Sequence, residues 1–240
     1  MKETSDNDAA LKELFRAIAS RNSQAVSGIL AGSPHLARQR SALGASRQTE
    51  EDFFFAEINH YAYAGDTALH IAAAAHEPPI LASLILHGAD VHARNRRGAA
   101  PLHYAADGVP GSPAWNPDGQ AAVIRQLIVA GAHPDSSDMN GVAPLHRAVR
   151  TRCASAVGEL LAAGSSPRLR NNSGSTPLHL AVQNTGRGGS GSALAREQQE
   201  EIIRLLLRHG ARPSDRNGIG KSALQCISAD WIRELFNAES

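Results

Sequence analysis

The sequence has few cysteines and no long hydrophobic run. Its 240 residues include two cysteines, which cannot build a disulfide framework, so the composition indicates a reducing compartment. Residues 1–10 lack the apolar segment of a secretory signal. No apolar run reaches the roughly 18 residues that a membrane-spanning helix needs. We therefore expect a cytoplasmic protein without a membrane span.

The sequence also has almost no net charge and few aromatic residues. Lys and Arg number 24 against 23 Asp and Glu, the net charge is +1, and the chain has three tyrosines. A balanced chain has no overall attraction for nucleic acid or anionic lipid. We therefore expect neither nucleic acid nor a membrane as partner. The length and a hydrophobic fraction of 42% suffice for one large domain or two small ones.

Internal repetition is the strongest feature that is present. A six-residue motif with a central Leu-His pair occurs at residues 67–72, 100–105, 143–148 and 176–181, and a weaker copy lies at 222–227. Each of the four motifs is followed by an apolar helical pattern that ends in glycine, over 80–88, 123–131, 157–164 and 202–210. This pattern predicts successive pairs of helices.

The distance between copies varies, but only in one place. The terminal glycine of each pattern precedes the next motif leucine by a constant 14 residues. Extra residues therefore fall between the two helices of a copy, at 107–120 and 184–197. Stacked units must keep the geometry between units, whereas a surface loop can lengthen at small entropic cost. The pattern is thus typical of a repeat protein.

The motif resembles the ankyrin repeat. The features that carry the resemblance are Thr-Pro-Leu-His-x-Ala, complete at 176–181, the glycine-terminated helix, and the spacing of 33 residues from Leu69 to Leu102. The resemblance covers roughly residues 60–236. It implies an all-α ankyrin-repeat solenoid of helix-turn-helix repeats with projecting β-hairpin turns. We also expect a monomer. The expected divisions of the chain are an N-terminal capping helix pair at 1–38, an insertion with a short helix at 39–60, four repeats at 61–94, 95–137, 138–170 and 171–216, and a C-terminal cap at 217–240.

Local chemistry agrees with these helix boundaries. Pro101, Pro144 and Pro177 suit the first position of a helix, where no N–H is needed. The motif alanines are small enough to let neighbouring helices approach closely. Glycine at the end of each second helix suits a left-handed backbone. Pro78 and Pro79 mark the start of a second helix in the same way.

The stretch before the first full motif contains three adjacent phenylalanines, 53–55. Residues 49–52 resemble a capping box, so we expect a short helix over 49–58 that covers the first repeat. Three adjacent side chains point in three directions on a helix, so at least one of them can be exposed. A docking patch for a partner or a membrane is the alternative interpretation.

Histidine is the most obvious candidate for metal binding, with 11 residues in the chain. Four of them occupy the same repeat position: His70, His103, His146 and His179. Neighbouring helices pack roughly 8–10 Å apart, whereas zinc needs ligands about 2 Å away, so this set cannot chelate one ion. The ankyrin resemblance implies instead that each histidine forms local hydrogen bonds and holds a hairpin. No metal or other cofactor is expected.

Other motifs give weaker signals. Residues 218–222 resemble the end of a phosphate-binding loop, but Asp215 stands where that motif requires glycine, so nucleotide hydrolysis is rejected. The insertions leave alternatives open. Backbone around Arg187 either cradles an anion or forms a flexible linker. Trp115 either fills its own loop or anchors a partner. No nucleophile–base–acid set is legible around Cys153 or Cys226.

The ankyrin resemblance implies binding through hairpin tips and the concave face of the first helices. We therefore predict a non-catalytic module that binds a partner protein. A small-ligand or anion-binding protein, or an unrecognised enzyme, using the insertion loops is the alternative. Arg150 is expected either to contact the partner or to pair with Asp107. The predicted contact residues are Tyr63, Asp66, Arg96, Arg97, Met139, Asn140, Val142, Arg150, Asn172, Ser173 and Lys221, with Trp115 and Arg187 on a possible second surface.

Overall fold

The computed structural model describes residues 2–46, 51–113, 115–183 and 192–238. These residues form eleven α-helices and one two-stranded β-hairpin. The all-α class that the resemblance implied is therefore confirmed. The chain divides into unit 1, residues 1–105 and 118–133, and unit 2, residues 106–117 and 134–240. Among the described helices, none has both the length and the apolar character that crossing a membrane requires.

Unit 1 consists of two N-terminal helices followed by the first helix pairs of the repeated pattern. Helix α1 packs on α3, and α2 packs on α4. The helices are α1 (Lys2–Ala19), α2 (Ser23–Gly32), α3 (Ala68–Ala75), α4 (Pro78–Leu86), α5 (Pro101–Ala106) and α6 (Pro117–Val129), of which Ala106 and Pro117 are counted with unit 2.

The predicted periodicity explains the core of unit 1. Leu11, Leu14 and Ile18 recur at helical spacing on α1, and each is at most 1% exposed. The turn to α2 is closed by Asn22, whose side chain accepts a hydrogen bond from the Ala25 N–H at 3.0 Å. Helix α4 begins at Pro78, as predicted.

The short helix predicted over 49–58 is wrong in its described part, 51–58. The structure has a 3-10 turn at Glu51–Phe53, strand β1 (Phe54–Phe55), a second 3-10 turn at Ala56–Ile58 and strand β2 (His60–Tyr61). The strands are antiparallel. Aromatic residues favour extended backbone, and Asn59 takes the left-handed conformation that closes the turn, with φ of 49°.

Unit 2 continues the pattern with α7 packed on α8 and α9, and α10 packed on α8 and α9. Its apolar side chains are buried at the repeated positions, for example Leu145, Leu178 and Ile202. The helices are α7 (Pro144–Arg150), α8 (Ala154–Ala162), α9 (Pro177–Ala181), α10 (Ala193–Arg208) and α11 (Asp230–Ala238).

The C-terminal end of unit 2 departs from a full helix pair. The weak motif forms only a 3-10 turn, Leu224–Cys226, which Ser222 and Gln225 cap reciprocally. The final helix, α11, is anchored by Ile232, Leu235 and Phe236, each at most 7% exposed. In this unit the weak motif therefore forms a 3-10 turn where the four full motifs form α-helices.

Candidate binding surfaces at the hairpin tips

Four turns between successive helix pairs are built in the same way. In each, a side-chain oxygen of Asn or Asp accepts hydrogen bonds of 2.8–3.1 Å from the N–H groups two and four residues later. The backbone N–H of the same residue donates to the carbonyl four residues later. This chemistry, which sequence reasoning missed, holds the next two residues at the tip. The turn residues are Asn95, Asp138, Asn171 and Asn217.

Adjacent turns approach so closely that glycine is required. At Gly174 the backbone has φ of +71°, and an added Cβ would lie 2.4 Å from the Gly218 nitrogen. The Gly218 N–H donates to the Ser173 carbonyl at 3.0 Å, so these two tips are directly hydrogen-bonded. The tip geometry is therefore set by backbone contacts as well as by side chains.

The repeated histidines hold these turns against the helices. The Nδ1 of all four accepts from a backbone N–H at the start of its helix, at 3.1–3.3 Å. The Nε2 of three donates to a carbonyl in the following turn: His70 to Ala99, His146 to Ser175 and His179 to Lys221, at 3.1–3.2 Å. The structural role that the resemblance implied is confirmed for His70, His146 and His179. Among the described residues no group of three or more His, Cys, Asp or Glu could hold a metal ion.

Burial makes two of these histidines sensitive to acid. Removal from water lowers the pKa of His70 and of His146 from the ordinary 6.5, and Asp66 only partly offsets this at His70. Because their folded pKa lies below the unfolded value, protons bind preferentially to the unfolded chain below pH 6.5.

We expect acid to destabilise the fold through these residues. The free energy of unfolding should fall as pH drops below 6.5, by at most about 1.4 kcal/mol per pH unit for each histidine, and level off below the folded pKa. Urea unfolding between about pH 7.5 and pH 5.5 measures the slope. Substituting His146→Gln should reduce the slope, and substituting the exposed His92→Gln should not; equal slopes in the two variants would contradict the assignment.

The tips of unit 1 carry a basic and aromatic cluster. The Arg97 guanidinium lies 4.0 Å from the centre of the Tyr63 ring, and that of Arg96 lies 5.6 Å from it. Arg96 is also held by hydrogen bonds to the carbonyls of Ala45, from its side chain, and Ala64, from its backbone. Both arginines are exposed. The structure thus brings together three of the predicted contact residues.

Asp66 was predicted to contact a partner, and this is wrong. Its side chain is 0% exposed. The carboxylate accepts hydrogen bonds from the Tyr63 N–H at 2.6 Å, the Asn95 amide at 2.9 Å and the Tyr104 hydroxyl at 2.8 Å. Asp66 therefore holds the hairpin from within, because a buried carboxylate is stable only when donors surround it.

The tips of unit 2 are partly apolar and include one exposed lysine, Lys221. Met139 is 72% exposed, and the side-chain amide of Asn172 donates to its carbonyl at 3.0 Å. Asn172 also bonds Asn140 through the backbone. The other predicted residues are Ser173, exposed beside Asn172; Val142, half-buried; and Lys221, whose side chain is exposed. Ile219 is 78% exposed at the last tip.

The possible pairing of Asp107 with Arg150 is wrong, because Arg147 takes that place. The Arg147 guanidinium lies 2.9 Å from Asp107 and 3.3 Å from Asp138, and all three side chains are largely buried. Arg150, one turn further along α7, is exposed. Within the described ranges Arg150 makes no ion pair, so it is accessible from solvent.

The structure describes only part of the two insertions. Trp115 is half-buried, and its backbone N–H donates to the Ser112 carbonyl at 3.0 Å. Arg187 lies outside the described residues. Sequence reasoning missed Gln120 and Gln199, which are buried and donate to the carbonyls at the ends of α5 and α9. Each stands three residues before the apolar pattern of its second helix, a shared spacing that could have identified both.

Two protein-family models match parts of the chain. A family model described as ankyrin repeats, in three copies, matches residues 114–217, and a model of the single ankyrin repeat matches residues 64–96. A comparison with curated proteins gives no match.

Proposed function

Because the chain belongs to the ankyrin repeat family, we propose that it is a non-catalytic module that binds another protein through its hairpin tips. Ankyrin repeats are generally protein–protein interaction modules and generally lack catalytic activity. The observation that carries the proposal is the tip construction, in which buried groups hold turns whose outermost residues are exposed. A rigid surface of this kind binds without a large ordering cost.

The two units offer tips of different chemistry to a partner. In unit 1, Arg96 and Arg97 with Tyr63 form a basic and aromatic surface suited to carboxylates. In unit 2, Met139 and Ile219 supply exposed apolar contact. We also propose that the module is a cytoplasmic monomer, and the low cysteine content of two in 240 residues supports the compartment.

Affinity capture from the native host, with mass spectrometry, tests this proposal. The parent chain should capture a protein partner. In a binding measurement with that purified partner, the double variant Arg97→Glu with Met139→Ala should weaken the complex by about 2 kcal/mol or more, roughly 30-fold, since it removes an anchor from each kind of tip.

A matched double variant serves as the control. Substituting Arg125→Glu with Leu86→Ala makes the same kind of changes at exposed positions on the second helices α4 and α6. These residues lie on second helices and not in the turns that form the tips. The affinity for the partner should therefore stay within a factor of about two of the parent value. If the two double variants bind equally well, the tips are not the binding surface.

A further inference from the structure

The hairpin formed by residues 51–61 extends the aromatic surface of the first tip. The ring of Phe54 lies 4.7 Å from that of Tyr61, and Tyr61 lies 6.5 Å from Tyr63. The guanidinium groups of Arg97 and Arg96 follow over the Tyr63 ring. These five side chains form a continuous series, called here the aromatic–arginine strip.

The local fold explains why these side chains share one face. Phe54 and Tyr61 are direct partners across the two strands, so their side chains lie on the same side. Phe55 points to the opposite side, where it is 6% exposed and packs edge-on against Phe15 at 6.4 Å. Burial of Phe55 therefore fixes the hairpin to α1 and leaves Phe54, 37% exposed, towards solvent.

Charge gives the strip two different ends. Among the described residues no carboxylate lies within ion-pair distance of Arg96 or Arg97, and the nearby Asp66 is buried. At the Phe54 end four acidic side chains, Glu13, Glu51, Asp52 and Glu57, outnumber the basic Lys12 and Arg16 that line the same pocket. The strip therefore favours a ligand that is anionic at the arginine end and uncharged or basic at the phenylalanine end.

We propose that the aromatic–arginine strip binds an extended peptide segment of a partner protein, with an Asp or Glu at Arg96 and Arg97 and an apolar side chain on Phe54 and Tyr61. This rests on the proposed function and names the chemistry of the partner. A guanidinium stacked on a tyrosine ring is already ordered and forms paired hydrogen bonds with a carboxylate. Tyrosine and arginine are also the residues that most often dominate binding energy.

A peptide fits the strip better than a nucleic acid. Bases could stack on the rings, but each nucleotide adds a phosphate. Phosphates at the phenylalanine end would meet Glu51, Asp52 and Glu57, where like charges repel. A peptide carries negative charge only where Asp or Glu occurs.

Selection of random linear peptides on the purified full chain tests the proposal. Enriched sequences should combine an acidic residue with a nearby apolar one. For a synthetic peptide of the enriched sequence, Arg97→Glu and Phe54→Ser should each weaken binding by about tenfold or more, and the exposed control Arg125→Glu should not. Circular dichroism and thermal unfolding of each variant show that the fold is kept; Tyr61→Ser replaces Phe54→Ser if that variant unfolds.

Three results would overturn the inference. They are enrichment without acidic residues, unchanged affinity in the strip variants, and tighter binding of a uridine oligonucleotide than of any selected peptide. The proposed function fails separately, if the parent chain captures no protein partner. If a captured partner loses affinity with Met139→Ala but not with Phe54→Ser or Arg97→Glu, the protein-binding function stands and the role of the strip does not.

Discussion

Substituting Asp66→Ala is expected to lower the free energy of unfolding by about 3–5 kcal/mol. The carboxylate is fully buried and accepts from a backbone N–H, an amide and a hydroxyl. Alanine would remove the acceptor of all three donors in a site that water does not reach, and of the three the Asn95 amide keeps a second acceptor, the Tyr104 hydroxyl at 3.0 Å. Urea unfolding of the parent and the variant measures the difference.

The control for Asp66 is Asp90→Ala. Asp90 is 54% exposed and lies 3.8 Å from Arg40, so its removal should cost less than about 1 kcal/mol. A double-mutant cycle adds Tyr104→Phe, which removes one of the donors. Tyr104→Phe should lower the free energy of unfolding clearly less in the Asp66→Ala variant than in the parent. Equal losses for Asp66→Ala and Asp90→Ala would contradict the buried network.

Substituting Arg147→Met should also lower the free energy of unfolding by about 3–5 kcal/mol. Methionine keeps an apolar stem but removes the guanidinium that contacts both Asp107 and Asp138. The two largely buried carboxylates would then lose the cation that they share, while Asp138 would keep the N–H donors of Asn140 and Val142. Urea unfolding at neutral pH measures the loss.

Arg150 provides a matched control on the same helix. Because Arg150 is exposed, Arg150→Met should change stability by less than about 0.5 kcal/mol. Adding Asp107→Asn to Arg147→Met should recover part of the loss, since one buried charge is removed. No recovery, or equal losses at the two arginines, would show that the pairing with Asp107 and Asp138 contributes little to stability.

The helix pairs could be predicted because their signals are local and repeated. Helices α4, α7 and α9 begin at the predicted prolines, Pro78, Pro144 and Pro177. The left-handed glycines and the histidine positions recur in the same register, so each copy supports the others. The repeat boundaries themselves stay predictions.

Sequence reasoning failed where a residue depends on distant partners. Asp66 stands beside true tip residues in the chain, but its partner Tyr104 lies 38 residues away. From the sequence alone, Arg147 and Arg150 are both possible partners of Asp107. Their positions around the axis of α7 decide which one is buried and which one is exposed. The hairpin at 51–61 differs from the prediction because the capping-box pattern favours a helix, whereas the three phenylalanines favour an extended backbone.

The candidate surfaces were partly predictable for the same reason. Positions of tip residues follow from the turn, so Arg96, Arg97, Met139 and Asn172 were placed correctly at exposed tips. Their chemistry as a surface could not be predicted, since the stacking of Arg97 on Tyr63 joins two different turns. The extension to Phe54 requires the strand pairing that the sequence did not reveal.

Oxidative footprinting of the chain with and without its captured partner tests the central claim most directly. Met139, 72% exposed at a tip, and the half-buried Tyr63 should lose reactivity in the complex, while Leu86 and Val129, each 87% exposed or more on second helices, should keep theirs. Protection of Leu86 and Val129 with unchanged oxidation of Met139 and Tyr63 would place the partner on the second helices and contradict binding through the tips.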